Sequence, residues 1–489
     1  MPQPPQPPDR PPTRPTGAGR EPGRRRRTLV VGAAVGALLA VGAGVWAAAG
    51  DGGEPRTPAP GNARAGTPTD PLPTGPTGRP GTTSGRRGGE RAPDDARRPG
   101  EAKVLFREPA PGAPENGADI PGFWVRDGHV VKAALDKVIA YGDHGERKWT
   151  VTLRGAVCAA PESPTGGKVV IAYGGPGKDE CGRLALIDLD HGAKLWDRRA
   201  PAARAPGGDH LGMGLAQSGD LAGLSWYGGS AVIAVGDGRR VPVGALPRGC
   251  RVDGFAGGRS LLRAYSCDDD TAGLQRLDTA TGQVSWTYRV REGYKVSDIY
   301  STDPVVVSLA DDHHTSGGIV ALSDRGRRRS TLDLGERSYQ PECGQDLFGT
   351  RMGGCRGVAA SSDTFYLPTE LSPDGGRGPA NEIHAFDLRT GQRKWTSKVP
   401  GRVLLPLSVR GADLIAYEQP TEKAAGSVVR VGAVGGRPKT LLRLPNATRA
   451  AEVGLASASR IYRKGVFYIA ADRLAGSGAD EALIMAFRP

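Results

Sequence analysis

Four stretches of the chain share one frame, and that frame restricts the fold more than any other feature of the sequence. They read Tyr141-Gly-Asp-His-Gly145-Glu-Arg-Lys-Trp149, Asp188-Leu-Asp-His-Gly192-Ala-Lys-Leu-Trp196, Asp278-Thr-Ala-Thr-Gly282-Gln-Val-Ser-Trp286 and Asp387-Leu-Arg-Thr-Gly391-Gln-Arg-Lys-Trp395. A Gly stands four residues before each Trp, and in three frames an Asp stands four residues before the Gly. Apolar runs such as 168–173 and 184–187 lead into the frames. Polar residues ending in Gly make a tight turn, because Gly takes up positive φ without steric cost. The Trp then falls on the following strand and packs between neighbouring sheets. Weaker copies fill the gaps: 231–234 leads through Gly236 and Gly238 to 241–243, 318–322 through Gly326 to 330–332, and 428–431 through Gly435 and Gly436 to 440–442. The strand ends fall near 149, 196, 243, 286, 332, 395 and 442, in steps of 47, 47, 43, 46, 63 and 47. Periods of this size, with four short strands per unit, predict a β-propeller.

An eighth unit runs through 465–469 and 482–487 but lacks an outer strand. Residues 103–107, Lys-Val-Leu-Phe-Arg, form a short strand with no unit of their own. They are expected to supply the missing strand and close the ring, since closure removes sheet edges that otherwise invite aggregation. The expected fold class is therefore all-β, an eight-bladed propeller over 103–489, with seven blades as the alternative. A segment of that length is large for one core but ordinary for a repeat array closed on itself.

The frame resembles the pyrroloquinoline-quinone (PQQ)-type propeller repeat, whose motif runs roughly A-x-D-x-x-T-G-x-x-x-W. The resemblance covers about residues 120–489 and is clearest at Trp149, Trp196, Trp286 and Trp395. It is nearest to the non-catalytic branch, the BamB-like propellers of outer-membrane protein assembly and related actinobacterial anchored proteins. Resemblance to the quinoprotein dehydrogenases of the same superfamily implies a vicinal Cys-Cys pair beside the cofactor, and this chain has none. No cofactor and no enzymatic activity are expected.

The segment before the ring cannot build a core. Residues 1–27 are rich in Pro and Arg, and 50–102 are dominated by Gly, Pro, Thr, Ala and Arg. Such segments bury too little apolar surface to offset the entropy of ordering and are read as disordered. Between them, 28–49 form a 22-residue run without a charge, preceded by Arg24, Arg25, Arg26 and Arg27. About 20 apolar residues span a bilayer as a helix. Positive charge stays cytoplasmic, so the reading is a single-pass cell-membrane anchor with the propeller extracytoplasmic. The rival is a cleavable signal peptide ending at Ala47-Ala48-Ala49. Gly32, Gly36, Ala40 and Gly44 recur every four residues, a spacing that lets two helices approach and form a homodimer. The net charge of +13 includes +5 from 1–27 and +2 from 51–100. The ring keeps +6, read as spread over its length, and no nucleic-acid partner is expected.

Six cysteines outside the cytoplasm suggest three disulfides. Let the strands of a blade be A to D from the axis outward. Cys158 begins an A strand and Cys181 precedes a C strand; Cys250 begins an A strand and Cys267 sits in a B–C loop; Cys343 and Cys355 bracket the long D–A connection. D–A and B–C loops share a face, so the expected pairs are Cys158–Cys181, Cys250–Cys267 and Cys343–Cys355, all on one face. No C-x-x-C spacing occurs, which argues against a zinc site.

Other candidates are weaker. Asp311, Asp312, His313 and His314 are the densest set of metal-type ligands, but consecutive side chains diverge, and a solvated hairpin is the simpler reading. Asp268, Asp269 and Asp270 lack the alternation of a calcium loop. Gly174-Gly-Pro-Gly-Lys178 lacks the spacing of a phosphate loop. Catalytic motifs such as G-x-S-x-G and H-E-x-x-H are absent. The expected role is a binding or scaffold module, held off the membrane by a linker reaching about 40 Å. It would present its cysteine-bearing face to an extracytoplasmic protein, peptide or cell-wall partner. The alternatives are a sensor whose Pro/Arg tail meets a cytoplasmic protein, and an oxidoreductase with a quinone or metal at the ring's centre.

Overall fold

Short runs of Val, Ile, Leu and Ala bounded by glycine turns become strands, and these gather into eight antiparallel blade sheets, with two further two-stranded sheets, Ala118–Asp119 with Arg473–Leu474 and Ser372–Pro373 with Pro379–Ala380. The computed structural model describes residues 97–489 apart from 175–180, 202–211, 344–350, 374, 375, 377, 456 and 477–480. The tail at 1–27, the apolar run at 28–49 with its Gly32, Gly36 and Gly44 face, and nearly all of the linker lie outside the described residues. Among those described, no helix is long and apolar enough to cross a membrane.

The protein is an all-β eight-bladed propeller. Blade 1 comprises Phe123–Arg126, His129–Ala134, Lys137–Tyr141 and Arg147–Thr152, and blade 2 Ala156–Ala159, Lys168–Gly174, Arg183–Asp188 and Ala193–Arg199. Blade 3 has Gly214–Ser218, Leu221–Trp226 and Gly229–Ala234. Blade 4 has Cys250–Ala256, Leu261–Cys267, Ala272–Leu277 and Val284–Arg289; blade 5 has Lys295–Thr302, Val305–Ala310, Ser316–Leu322 and Arg328–Thr331. Blade 6 has Ala359–Ala360, Thr364–Pro368, Glu382–Asp387 and Arg393–Lys398; blade 7 has Leu404–Arg410, Asp413–Glu418, Ser427–Val431 and Lys439–Arg443. Blade 8 takes Ala458–Arg463, Val466–Ala471 and Ala482–Arg488 from the C-terminus, and Lys103–Pro109 from the far end of the chain as its outer strand. In that closure Lys103 lies opposite Arg488 and Val104 opposite Phe487. First strands of neighbouring blades touch around the axis, and last strands form the rim. The eight units include the two outer strands that the sequence left least regular. At the rim of blade 3, 241–243 is expected to be a full strand, but only Arg240 bridges Ile233, with Val241 N–H donating to Val232 O. Pro242 has no N–H with which to continue the ladder.

Apolar cores lie between neighbouring blades, one shared by blades 7, 8 and 1, and another where Val131, Val138 and Val151 of blade 1 meet Val169, Ile171 and Ile187 of blade 2. The repeat frame locks these interfaces. The Asp carboxylate caps the turn: Asp278 Oδ1 accepts from the N–H groups of Ala280 and Thr281, and Asp387 Oδ1 from those of Arg389 and Thr390. The Gly then lies under the Trp of the preceding blade. A β-carbon on Gly192 would come within 2.5 Å of the Trp149 indole. One on Gly326 would come as close to Trp286, and Gly238 and Gly435 lie likewise under Trp196 and Trp395. Gly145 of blade 1 lies under Phe106 of the closing strand, which takes the place of a Trp.

Candidate functional site

The bore of the ring is the place where inner-strand side chains converge, and the chain's own D–A connection from blade 5 to blade 6 occupies it. This connection accounts for the long repeat step of 63 residues. It leaves Thr331 and is held first against blade 6. Tyr339 bridges Thr369, and its hydroxyl donates to Leu334 O at 3.2 Å and lies 2.8 Å from His384 Nδ1. His384 is fully buried, with Nε2 3.0 Å from Glu382 Oε2. Burial pushes its pKa down, against the opposing pull of Glu382, while Arg393 and Arg337 push the same way as burial.

The connection then turns inward. Glu342 and Arg356 pair as a two-residue ladder, with N–H to O distances of 3.0 and 2.7 Å. Arg351 bridges Phe255 of blade 4, and Ile299 N–H of blade 5 donates to Met352 O at 2.7 Å. Met352 is buried among Ala256, Leu262, Val296 and Ile299. A β-carbon on Gly354 would come within 2.9 Å of the Glu162 carboxylate, which belongs to blade 2. Arg356 pairs with Asp472 at 2.6 Å and Arg460 with Glu342 at 3.4 Å, both on blade 8. A segment that leaves blade 5, is held against blade 6 and meets blades 2, 4 and 8 as well lies across the axis.

Two titratable groups border this plug. Lys132 is fully buried and donates to the carbonyls of Ile120, Gly122 and Ala133. Burial lowers its pKa to about 7, with Arg356 acting the same way and Asp472 opposing. Glu162 stands beside the plug, with its carboxylate facing Gly354. Burial raises its pKa, Arg356 and Arg351 oppose, and Asp472 reinforces.

The structure has three disulfides, Cys158–Cys181, Cys250–Cys267 and Cys343–Cys355, the pairs expected from strand order. The first two lie at the D–A and B–C face. The third is drawn into the bore, where its two sulfurs and an Asp298 carboxylate oxygen lie within 4.8 Å of one another. Asp298 is half-buried midway along its inner strand, and its Oδ2 accepts from Ser308 Oγ at 3.1 Å. As disulfide sulfurs, Cys343 and Cys355 are not thiolate ligands. Among the described residues no other three such groups come together.

The remaining sequence candidates separate. Asp311 Oδ1 accepts from the N–H groups of His313 and Thr315, and Asp312 pairs with Lys295 at 2.7 Å, so Asp311, Asp312 and His313 form a capped B–C hairpin. Asp269 caps Thr271, and Asp270 turns the chain at φ 59°. The glycine-rich stretch after Gly174 lies outside the described residues. Sequence reasoning did not find Lys132, Glu162 or the Tyr339–His384–Glu382 chain. The extra length between 332 and 395 marks an insertion, but nothing in its composition says that it folds inward.

No family model matches the chain, and no curated protein matches it. Solved structures do. BamB from Moraxella catarrhalis is 15% identical with a TM-score of 0.44, over 76% of this chain and 100% of that one. Quinohemoprotein alcohol dehydrogenase from Comamonas testosteroni is 13% identical with a TM-score of 0.45, over 80% and 76%. A europium-containing methanol dehydrogenase is 12% identical with a TM-score of 0.45, over 79% and 92%.

Proposed function

We propose that the chain is a membrane-anchored extracytoplasmic binding or scaffold module whose ring has no catalytic centre. The observation that carries this reading is the filled bore. A quinone at the ring's centre would need the space taken by the connection at 351–356, in which Arg351 and Met352 are fixed by backbone pairing to blades 4 and 5 and Arg356 by an ion pair to Asp472 of blade 8. The residues present do not fit such a group. What the ring offers instead is loop surface: the D–A and B–C face, stiffened by Cys158–Cys181 and Cys250–Cys267, with the acidic hairpins at 268–271 and 311–315. An extracytoplasmic protein or peptide is the partner that surface suits. The apolar run at 28–49 behind Arg24–Arg27 supplies the anchor, and Gly32, Gly36 and Gly44 its dimer face.

The test is photo-crosslinking of the full-length protein in its native membrane, with probes at 268–271 and 311–315 and, in parallel, in the opposite turns at 278–282 and 324–326. A discrete crosslinked partner from the first set and none from the second is expected. A stoichiometric cofactor absorbance in the purified protein would overturn the reading.

A further inference from the structure

The sequence suggests that the ring's charge is spread along the chain, but in space it is sorted. The outermost strands of the eight blades, counting 239–243 for blade 3, hold Lys103, Arg107, Arg147, Lys148, Lys194, Arg198, Arg199, Arg239, Arg240, Arg289, Arg328, Arg329, Arg393, Lys394, Lys398, Lys439 and Arg443. These 46 residues carry 17 of the 50 cations of residues 101–489 but only two of the 44 acids, Glu108 and Asp197. The rim therefore nets +15 while 101–489 as a whole nets +6, so the rest of that range nets −9. All 17 cations are exposed, and every blade contributes. The two acids are used locally, Glu108 by Arg147 at 2.7 Å and Asp197 by Arg183 and Lys194. Lys103, Arg289, Arg328, Arg393, Lys439 and Arg443 make no ion pair among the described residues.

Charged residues on an edge strand also keep sheets from pairing with one another. That purpose is met by either sign, and by one or two charges per edge. It does not account for a belt from which acids, common everywhere else in the ring, are almost excluded. A belt of one sign running round a closed ring attracts a polyanion and releases its counterions. A flat bilayer meets a ring at one arc of the rim, or at a face that is not basic. A flexible chain can follow the whole circumference. Leu195 and Leu441 are the large apolar side chains exposed on the rim, and its tryptophans are half-buried between blades. The rim thus lacks the open aromatic rings on which nucleobases stack. We propose that the rim is a docking belt for a flexible polyanion of repeating phosphate groups without bases, such as a phosphodiester-linked envelope polymer. This goes beyond the binding-module reading and does not depend on which partner the D–A and B–C face takes.

The test uses full-length protein in non-ionic detergent, titrated with long-chain inorganic polyphosphate and, separately, with a glycerol-phosphate polymer at 50 and 200 mM salt. Binding to both, at least tenfold weaker at the higher salt, is expected; binding to polyphosphate alone would assign the belt to the free polymer, and failure of both would overturn the proposal. Replacing Arg289, Arg328, Arg393 and Lys439 with Gln, one on each of four consecutive blades, should weaken binding about tenfold and lower the salt slope by up to about three. The same number of Gln replacements off the rim, at Arg251, Arg259, Arg325 and Lys423, should change it less than about threefold. Equal losses from both sets would reduce the effect to net charge and sink the belt. Tighter binding to an oligo-dC strand of equal charge, or to vesicles containing anionic phospholipid, would overturn the proposal in favour of nucleic acid or membrane. Loss of the crosslinked partner at the loop face, with polymer binding intact, would count against the binding-module reading alone.

Discussion

The interfaces closed by tryptophan and those closed without it divide the ring into two kinds of seam. Blades 1 and 2, 2 and 3, 4 and 5, and 6 and 7 meet where a Trp covers a positive-φ Gly, at Gly192, Gly238, Gly326 and Gly435. The other seams use whatever the local chain provides. Gly145 is covered by Phe106, Gly282 by the backbone of Pro242 flanked by Val241 and Val243, and Gly391 by the backbone of Thr331. At the seam between blades 7 and 8, Ala102 N–H donates to Arg443 O at 2.7 Å. The Trp seams are interchangeable repeats. The others carry the features peculiar to this protein: ring closure, the reduced rim of blade 3, and the departure of the connection that fills the bore. Nearest-neighbour seams in a repeat array contribute to stability nearly independently, so each can be tested alone.

The largest effects belong to the covers themselves. Trp395→Ala and Phe106→Ala should each cost about 3 kcal/mol, the range for truncating a large buried aromatic. Thr331→Ala should cost under about 1 kcal/mol, because at that seam the covering atom is a backbone carbonyl that survives the change. Urea denaturation midpoints read all three. A cheap Phe106→Ala would break the equivalence between the closing strand and a tryptophan.

The next test sets a covered glycine against an open one. Gly192→Ala combines strain at φ 71° with a β-carbon 2.5 Å from Trp149 and should cost at least about 2 kcal/mol. Gly128→Ala has a similar φ of 76° with nothing within 4 Å, and should cost about 1 kcal/mol. Adding Trp149→Ala to Gly192→Ala should cost less than the two single changes together, since the clash is then gone.

How much of this was legible follows the same division. The Gly–Trp frame appears in sequence because a cover and its glycine impose fixed residue types at a fixed spacing. Blade count, closing strand and disulfide partners could all be read by counting from those frames. The plug could not. Met352, Gly354 and Arg356 are held by partners as far away as Glu162 and Asp472, and pairings of that reach leave no local pattern. Lys132 reads as one polar residue in an apolar strand, and its three carbonyl partners appear only in the folded chain. The cationic rim is hidden for a related reason, since strands 40 or more residues apart share it.

The Trp-free seam between blades 5 and 6 holds a buried histidine, so acid should weaken it while leaving the Trp seams alone. His384 has its folded pKa below the unfolded value of about 6.5. In the window below 6.5 the unfolded chain binds the proton more readily than the folded one, so stability falls as pH drops through it. His384→Gln removes that group, and the difference between wild type and variant should shrink steadily as pH falls from 7 to 5. A constant difference, read from urea midpoints, would mean that His384 titrates alike in the folded and unfolded chains, and a growing one that its folded pKa is raised.

The smallest contrast lies within the Trp seams. Trp196 Nε1–H donates to Val235 O and Trp395 Nε1–H to Ala433 O, both at 2.8 Å, whereas the buried Nε1–H groups of Trp149 and Trp286 meet no acceptor. Trp→Phe removes the donor and part of the ring at all four positions. At Trp196 and Trp395 it also breaks a hydrogen bond and strands a carbonyl, worth about 1 kcal/mol. At Trp149 and Trp286 it removes an unpaired donor, which offsets the lost ring area. Trp196→Phe and Trp395→Phe should therefore each cost about 1 kcal/mol more than Trp149→Phe and Trp286→Phe. Four equal losses would show that ring area alone sets the strength of a Trp seam and that its hydrogen bond adds nothing.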